Sequence, residues 1–184
     1  MNIVLIGFRG TGKSSIGKLL SNQLKRDYID TDEYIGNSTG KTIKDIFLEK
    51  GEEVFRTIEA EAVATVSKMD NQIIATGGGV ILNNKNVTNL KSNGTLILLE
   101  ASPEIIHLRL SLDDKTADQR PSLTGKEAFE EIKHLLDKRL PLYNKAADHT
   151  INTSLKSPEE VVDEIIMFIE DSQKSNKSVK PHIK

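Results

Sequence analysis

The residues best suited to chemistry lie near the beginning of the chain, where residues 7–14 fit the pattern G-x-x-x-x-G-K-[ST]. A short β-branched apolar run precedes them, and from Lys13 onward apolar residues recur at helical spacing. Glycines let such a loop curl until successive N–H groups point into one concavity, and the following helix adds the positive end of its dipole. The segment therefore predicts a site for the phosphates of a nucleoside triphosphate.

Two side chains of this loop have predicted roles. Lys13 can reach the β- and γ-phosphates, and the hydroxyl of Ser14 can ligate Mg²⁺. The predicted nucleotide-binding residues of the loop are Gly10, Thr11, Gly12, Lys13, Ser14 and Ser15. The alternative is a glycine-rich turn with an incidental lysine, which the strand before it and the helix after it disfavour. The motif alone does not distinguish a kinase from a GTPase or a motor ATPase.

A pair of carboxylates, Asp30 and Asp32, follows the next short apolar run. Residues at the carboxyl end of a parallel strand face the ligand crevice, and a spacing of two places both side chains on one side of an extended strand. One carboxylate can hold Mg²⁺, through water, while the other accepts a hydrogen bond from an attacking hydroxyl and takes its proton. The alternative is that Asp32 simply N-caps the helix that follows.

Strands that alternate with helices must position these residues. Apolar runs predict strands at residues 2–6, 28–30, 73–75, 95–99 and 150–152. Helical spacing predicts helices at residues 13–24, at 42–69 with a break near Gly51, from Pro103, at 126–143, and from Pro158. This alternation predicts an α/β fold with a mostly parallel sheet and helices on both faces, that is, three layers.

Two polar segments interrupt the pattern. Residues 112–125 show no helical or strand period, so we expect a mobile excursion there. Residues 172–184 carry lysines among serines and asparagines, and we expect a disordered tail.

Composition excludes several classes of partner. The chain has 184 residues, which suits a single domain, and a formal net charge of -2 with only 4% aromatic residues and no Trp. A nucleic-acid or anionic-membrane partner usually needs a basic face, so we expect neither. Cys is absent, which excludes disulfides and Cys-ligated metals. We see no targeting segment and no stretch long and apolar enough to span a bilayer, and we expect a cytoplasmic protein.

Several motifs, taken together, resemble those of the shikimate kinases. They are Asp30-Thr31-Asp32, Phe55-Arg56-x-x-Glu59, Gly77-Gly78-Gly79, Arg120-Pro121 and Arg139-x-Pro141-x-Tyr143. They occur in the order typical of the family, and the resemblance covers nearly the whole chain to about Asp171. The phosphate loop is shared by many proteins, whereas this combination of motifs is far more specific.

The resemblance implies a fold and an activity. The fold would be that of the nucleoside-monophosphate-kinase-like P-loop proteins: a five-stranded parallel sheet in one domain, residues 1–171. A substrate-binding segment would span about residues 32–60 and a lid about residues 111–125. The reaction would move the γ-phosphate of ATP to a hydroxyl of shikimate, giving shikimate 3-phosphate, a step of chorismate and aromatic amino-acid biosynthesis. ATP would be the co-substrate, with one Mg²⁺ per subunit, and the protein would be a monomer.

The acid would be bound by four residues, on the strength of the same resemblance. Asp32 would bind the ring hydroxyls, including the one that is phosphorylated. Arg56 and Arg139 would bind the carboxylate, which suits them because a planar guanidinium donates two parallel hydrogen bonds. Gly78 would offer its backbone N–H to a hydroxyl at close approach.

The resemblance also assigns the phosphoryl-transfer residues. Arg120, in the lid, would reach the transferring phosphate and the nucleotide, and Asp30 would help to hold Mg²⁺ beside Ser14. The catalytic residues would then be Lys13, Asp32 and Arg120.

Each assignment has a plainer alternative. Arg56 can pair with Glu52 or Glu59 on its own helix, and Arg139 can meet the last carbonyls of its helix. Residues 77–79 can be only a tight exit from the third strand, and Arg120 an exposed loop charge.

Departures from the family pattern affect other positions. Ser122 stands where a leucine is usual, Gly36 where glutamate is frequent, and a longer lid weakens any assignment of Arg109 as an adenine-stacking residue. Two other functions stay open: a kinase for another small hydroxylated acid, such as gluconate, or a catalytically silent nucleotide-binding module.

Overall fold

The structure, a computed structural model, describes residues 1–112 and 126–178. Within these residues, strands form one parallel sheet of five in the order β2-β3-β1-β4-β5. The strands are β1 Asn2–Ile6, β2 Tyr28–Asp30, β3 Ile73–Ala75, β4 Gly94–Glu100 and β5 His149–Asn152. The predicted α/β fold with a five-stranded parallel sheet is therefore confirmed, and β4 and β5 begin one residue earlier than the apolar runs indicate.

Helices cover both faces of this sheet. They are α1 Lys13–Leu24, α2 Thr31–Thr39, α3 Ile43–Val66, α4 Asn84–Ser92, α5 Pro103–Ser111, α6 Lys126–Ala146 and α7 Pro158–Ser178, with a 3₁₀ turn at Val80–Leu82. Side chains of a strand alternate between faces, so Ile3 and Leu5 pack with α1 and α7, while Val4 and Ile6 pack with α3 to α6. All of β1 is buried, as expected for a central parallel strand.

Several predicted helix boundaries differ from the structure, and α3 spans Ile43–Val66 instead of residues 42–69. Helix α6 runs through Pro141 to Ala146, beyond its predicted end at residue 143. Helix α7 continues to Ser178, so residues 172–178 are helical where we predict a disordered tail. The capping box at Ser157 and the burial of Ile165 and Ile169 anchor α7, and polar residues can extend an anchored helix without packing of their own. Residues 179–184 lie outside the described part of the chain.

The predicted substrate-binding segment is helical. Residues 32–60 form α2 and most of α3, and α3 is broken at Gly51, whose φ is 79°. The break confirms the predicted interruption near this glycine. Most of the predicted lid, residues 113–125, lies outside the described residues. Within them, none of the helices is both long and apolar enough to cross a bilayer.

The strand order determines where a ligand can bind. The connections from β1 and β4 leave the sheet in opposite directions, and such a switch point opens a crevice at the carboxyl ends of the strands. Gly7 begins the loop after β1 and lies against the backbone carbonyl of Leu99 in β4, so that no side chain has room there. Its φ of 143° also disfavours any other residue.

Candidate active site

The phosphate loop lies between β1 and α1, as the sequence predicts. Gly10 and Gly12 have φ angles of 77° and 96°, which only glycine adopts readily. The hydroxyl of Thr11 and the ammonium of Lys13 both donate to the carbonyl oxygen of Phe8, each at 2.8 Å. Lys13 is only 8% exposed, so its charge is held directly over its own loop.

Asp30 joins the end of β2 to this loop. Its Oδ2 accepts hydrogen bonds from the hydroxyls of Ser14 at 2.9 Å and Tyr28 at 3.2 Å. Its Oδ1 accepts from the backbone N–H groups of Asp32 at 2.9 Å and Glu33 at 3.4 Å. Asp30, not Asp32, is therefore the N-cap of α2, and the capping alternative for Asp32 is wrong.

The donor set at Ser14 and Asp30 fits Mg²⁺. Both groups present oxygen atoms, the ligands that Mg²⁺ prefers, and both line the crevice beside the phosphate loop. Among the described residues there is no group of three or more His, Asp or Glu side chains that could hold a metal by themselves. This arrangement suits Mg²⁺ because that ion usually takes one or two protein ligands and completes its shell with phosphate oxygens and water.

Asp32 lies at the turn formed by Gly77, Gly78 and Gly79 after β3, here called the glycine turn. A Cβ atom added to Gly77 would be 2.7 Å from Oδ1 of Asp32 and 3.2 Å from Oε1 of Glu59. The backbone N–H of Gly77 donates to the buried hydroxyl of Thr31 at 3.0 Å, which fixes the turn against the start of α2. The glycine turn is thus more than an exit from the strand, because its missing side chain lets two carboxylates approach the backbone.

Arg56 reaches the same turn from α3. Its Nη1 pairs with Glu59 at 2.9 Å, and its Nη2 and Nε donate to Glu52 at 2.9 and 3.2 Å. A Cβ atom on Gly79 would lie 2.7 Å from Nη2 of Arg56. Arg56 therefore makes the ion pairs that the plainer alternative predicts, and it also contacts the glycine turn.

The charge of Arg56 is secured by these carboxylates. Burial by itself would lower the pKa of the guanidinium, but the charges of Glu59 and Glu52 and their hydrogen bonds outweigh it and raise the pKa above its ordinary value. Glu59 is 1% exposed, whereas Glu52 is 64% exposed. Glu59, the buried partner, is therefore the one that the fold holds in place.

Arg139 approaches from α6. Its Nη1 donates to the carbonyl of Gly78 at 3.4 Å, and its guanidinium carbon lies 5.7 Å from the ring centroid of Phe8. The hydroxyl of Tyr143 donates to the same carbonyl. Since Phe8 also accepts from Lys13, the second arginine lies next to the phosphate loop. Its contacts are with the glycine turn and the loop.

These elements surround a crevice of about 920 Å³. The phosphate loop, Asp30, Asp32 and Gly78 line it, and so do Arg109 and Thr153. Arg109 donates to the carbonyl of Gly10 at 3.3 Å and to the hydroxyl and carbonyl of Thr153 at 2.9 and 2.7 Å. Arg56 and Arg139 do not line the crevice but contact the glycine turn that does. Arg120 lies outside the described residues.

Sequence reasoning missed two residues of this arrangement. Thr153 follows β5 and its hydroxyl donates to the carbonyls of Glu100 at 3.0 Å and Thr11 at 3.2 Å, which links β5 to the phosphate loop. Its position at the carboxyl end of a parallel strand was the available signal. The second residue is Tyr28, for which the apolar run predicts only a place in a strand. Its spacing of two from Asp30, which puts both side chains on one side of the strand, was the available signal.

The sequence also matches the model of a known protein family, in agreement with the geometry of the crevice. The shikimate kinase family model matches residues 9–170, from the phosphate loop to α7. The chain belongs to the shikimate kinase family.

Relatives within the shikimate kinases are similar over nearly their whole length. The shikimate kinase of Thermodesulfovibrio yellowstonii is 47% identical over 90% of this chain and 92% of its own. That of Caldanaerobacter subterraneus is 45% identical over 90% of this chain and 94% of its own. Among solved structures, the shikimate kinase of Acinetobacter baumannii in complex with shikimate superposes with a TM-score of 0.85 and 33% identity, over 93% of each chain. These similarities identify the chain as a kinase with the fold of this family.

Proposed function

We propose that this chain transfers the γ-phosphoryl group of ATP to a hydroxyl of shikimate, giving shikimate 3-phosphate, in a Mg²⁺-dependent reaction. The observation that carries the proposal is the contact between the phosphate loop and the glycine turn. A Cβ atom on Gly78 would lie 3.3 Å from the backbone nitrogen of Arg9 and 3.5 Å from the carbonyl of Gly7. The proposed phosphate-binding loop therefore contacts the turn at which the acid would bind.

The phosphates would bind on residues 10–15. The backbone N–H groups of Gly10, Thr11 and Gly12 and the start of α1 supply partial positive charge, and Lys13 supplies a full one. Ser15 lines the crevice in the first turn of α1. Ser14 and Asp30 would hold Mg²⁺, which when bound neutralises charge on the phosphates.

The acid would bind next to the glycine turn of residues 77–79. Arg56 and Arg139 approach the glycine turn from two different helices, and two guanidinium groups suit one carboxylate. The backbone of Gly78 and the carboxylate of Asp32 would receive the hydroxyls, since the ring can approach where no side chain stands. Paired cations and a carboxylate thus select a small acid that also carries hydroxyl groups.

Transfer would follow from this placement. Asp32 orients the attacking hydroxyl and takes its proton, while the oxygen attacks the γ-phosphorus and the bond to ADP breaks. Lys13 stabilises the charge that develops on the transferring group, and we propose that Arg120 from the lid does the same. Exclusion of water by the lid would prevent wasteful hydrolysis of ATP.

We also propose the pathway, the location, the oligomeric state and the partners of the enzyme. The step would belong to chorismate and aromatic amino-acid biosynthesis in the cytoplasm. The enzyme would act as a monomer of one domain, residues 1–171. The proposed partners are small molecules only, ATP and shikimate, with no nucleic acid or membrane.

The test is release of ADP with and without shikimate, followed by phosphorus NMR of the product. We expect ADP release that depends on shikimate and a single new phosphate monoester. Gluconate in the same assay distinguishes a kinase of another hydroxylated acid. Absence of any acid-dependent ADP release would instead support the catalytically silent nucleotide-binding module.

A further inference from the structure

We propose that the hydroxyl of Tyr28 is a positioning group for the metal–nucleotide site, because it holds the Asp30 carboxylate in the orientation that Ser14 requires. The inference rests on the proposed function, in which Ser14 and Asp30 hold the metal that accompanies ATP. It adds a residue of β2 that touches neither substrate and acts only through Asp30.

The contacts of Asp30 define what Tyr28 does. The two oxygens of this carboxylate accept four hydrogen bonds, two from the backbone at the start of α2 and two from the hydroxyls of Ser14 and Tyr28. The backbone bonds fix Oδ1. Since Ser14 is exposed to the crevice, Tyr28 is the more enclosed of the two donors that fix Oδ2.

The effect on Ser14 follows from the direction of its hydrogen bond. Its hydroxyl donates its proton to Oδ2 of Asp30 at 2.9 Å. With the proton committed to the carboxylate, the lone pairs of the Ser14 oxygen are left for a cation. Rotation of the Asp30 carboxylate would break this hydrogen bond. A second donor on Oδ2 therefore preserves the orientation of the metal-binding hydroxyl of Ser14.

Packing holds the ring of Tyr28 in place for this role. A Cβ atom on Gly17 in α1 would lie 2.6 Å from Cε2 of the tyrosine, so the ring occupies the space that a side chain at position 17 would fill. The ammonium of Lys18 lies 5.7 Å from the ring centroid. Because Tyr28 and Asp30 are two residues apart on β2, they project to the same side of the sheet.

Tyr28→Phe tests the proposal because it removes one oxygen atom and keeps the ring against Gly17. Electron paramagnetic resonance measures Mn²⁺ binding to the enzyme–ADP complex without shikimate. We expect the Kd of Mn²⁺ to rise about tenfold, as for other partners of metal ligands. Binding of ADP in EDTA should stay within about twofold of the wild type, and saturating Mg²⁺ should restore kcat.

Two controls separate positioning from a general effect. Tyr34→Phe makes the same chemical change in α2, where the tyrosine packs against the apolar cores, and should leave Mn²⁺ binding unchanged. Asp30→Ser keeps an N-cap oxygen but removes the carboxylate. In that background Tyr28→Phe should have no further effect on Mn²⁺ affinity, since Tyr28 acts through Asp30.

Three results would overturn the proposal. They are an unchanged Mn²⁺ affinity in Tyr28→Phe, an equal loss of metal-free ADP binding, and additive effects of Tyr28→Phe and Asp30→Ser. Failure of the proposed reaction is a separate outcome. It would show as a wild-type enzyme without shikimate-dependent ADP release, whatever the Mn²⁺ measurements give.

Discussion

Arg56 lies directly against the backbone of Gly79. A Cβ atom on that glycine would be 2.7 Å from Nη2 of Arg56 and closer still to Nη1. The guanidinium cannot move aside freely, because Glu52 and Glu59 hold it. Arg56 can therefore occupy this position only because residue 79 has no side chain.

Gly79→Ala should raise the KM for shikimate about tenfold and leave the KM for ATP nearly unchanged, because the new methyl group displaces Arg56 and breaks part of its hydrogen bonding. The φ of Gly79 is -103°, so alanine brings no backbone strain and the change is purely steric. Steady-state kinetics with each substrate varied in turn measures both constants. The matched control is Gly36→Ala in α2, where the nearest atom to the new Cβ is 3.6 Å away. An unaltered KM for shikimate in Gly79→Ala would contradict the placement of Arg56 at the acid.

Arg56→Ala and Arg139→Ala should each raise the KM for shikimate about 10- to 100-fold, since each removes charge-assisted hydrogen bonds to a carboxylate. The effect on kcat should be smaller, because these contacts exist before the transition state. Initial rates at fixed ATP provide the measurement. Arg26→Ala serves as the control, since within the described part of the chain this guanidinium donates to the carbonyl of Met1, far from the glycine turn in sequence. If both site variants keep the wild-type KM, the acid binds elsewhere.

Asp32→Asn should lower kcat by roughly 10²–10⁴, as expected for loss of a general base. The fold should persist, since Asp30 and not Asp32 caps α2. Rapid-quench or coupled assays give kcat, and circular dichroism checks the helix content. Glu33→Gln changes the adjacent exposed carboxylate in the same way and should be nearly silent. A kcat close to wild type in Asp32→Asn would remove this residue from the proton-transfer step.

Arg120→Ala should lower kcat by about 10³–10⁵, the range typical of an arginine that contacts the transferring phosphoryl group. Thermal unfolding should be unchanged. Lys115→Ala, in the same polar segment, controls for the simple loss of a positive charge. Wild-type kcat in Arg120→Ala would refute its catalytic role.

Local patterns were sufficient to predict the parts of the site that neighbouring residues determine. The phosphate loop, the turn at residues 77–79 and the strands before them follow from glycine spacing and short apolar runs. The approach of Arg56 and Arg139 to one turn was anticipated only through the resemblance of their motifs. Periodicity does not show which separate helices converge.

The sequence left an assignment open where two neighbouring residues can play the same role. It missed a contact where residues far apart in the chain meet. Asp30 and Asp32 are two residues apart, and either can cap a helix, so the pattern left the assignment open. Thr153 contacts Thr11 across more than two-thirds of the chain, and its role depends on β5 lying next to β4. The extension of α7 to Ser178 also could not be read from composition, because polar residues are compatible with both helix and disorder.

The carbonyl of Gly78 receives hydrogen bonds from both Arg139 and Tyr143. If Arg139 binds the carboxylate of the acid, as we propose, and leaves this carbonyl, the phenol would still satisfy the oxygen, so no buried acceptor would lose its last partner. The move of Arg139 to the acid would then cost little at the turn. A shared acceptor would thus make this arginine available to a substrate.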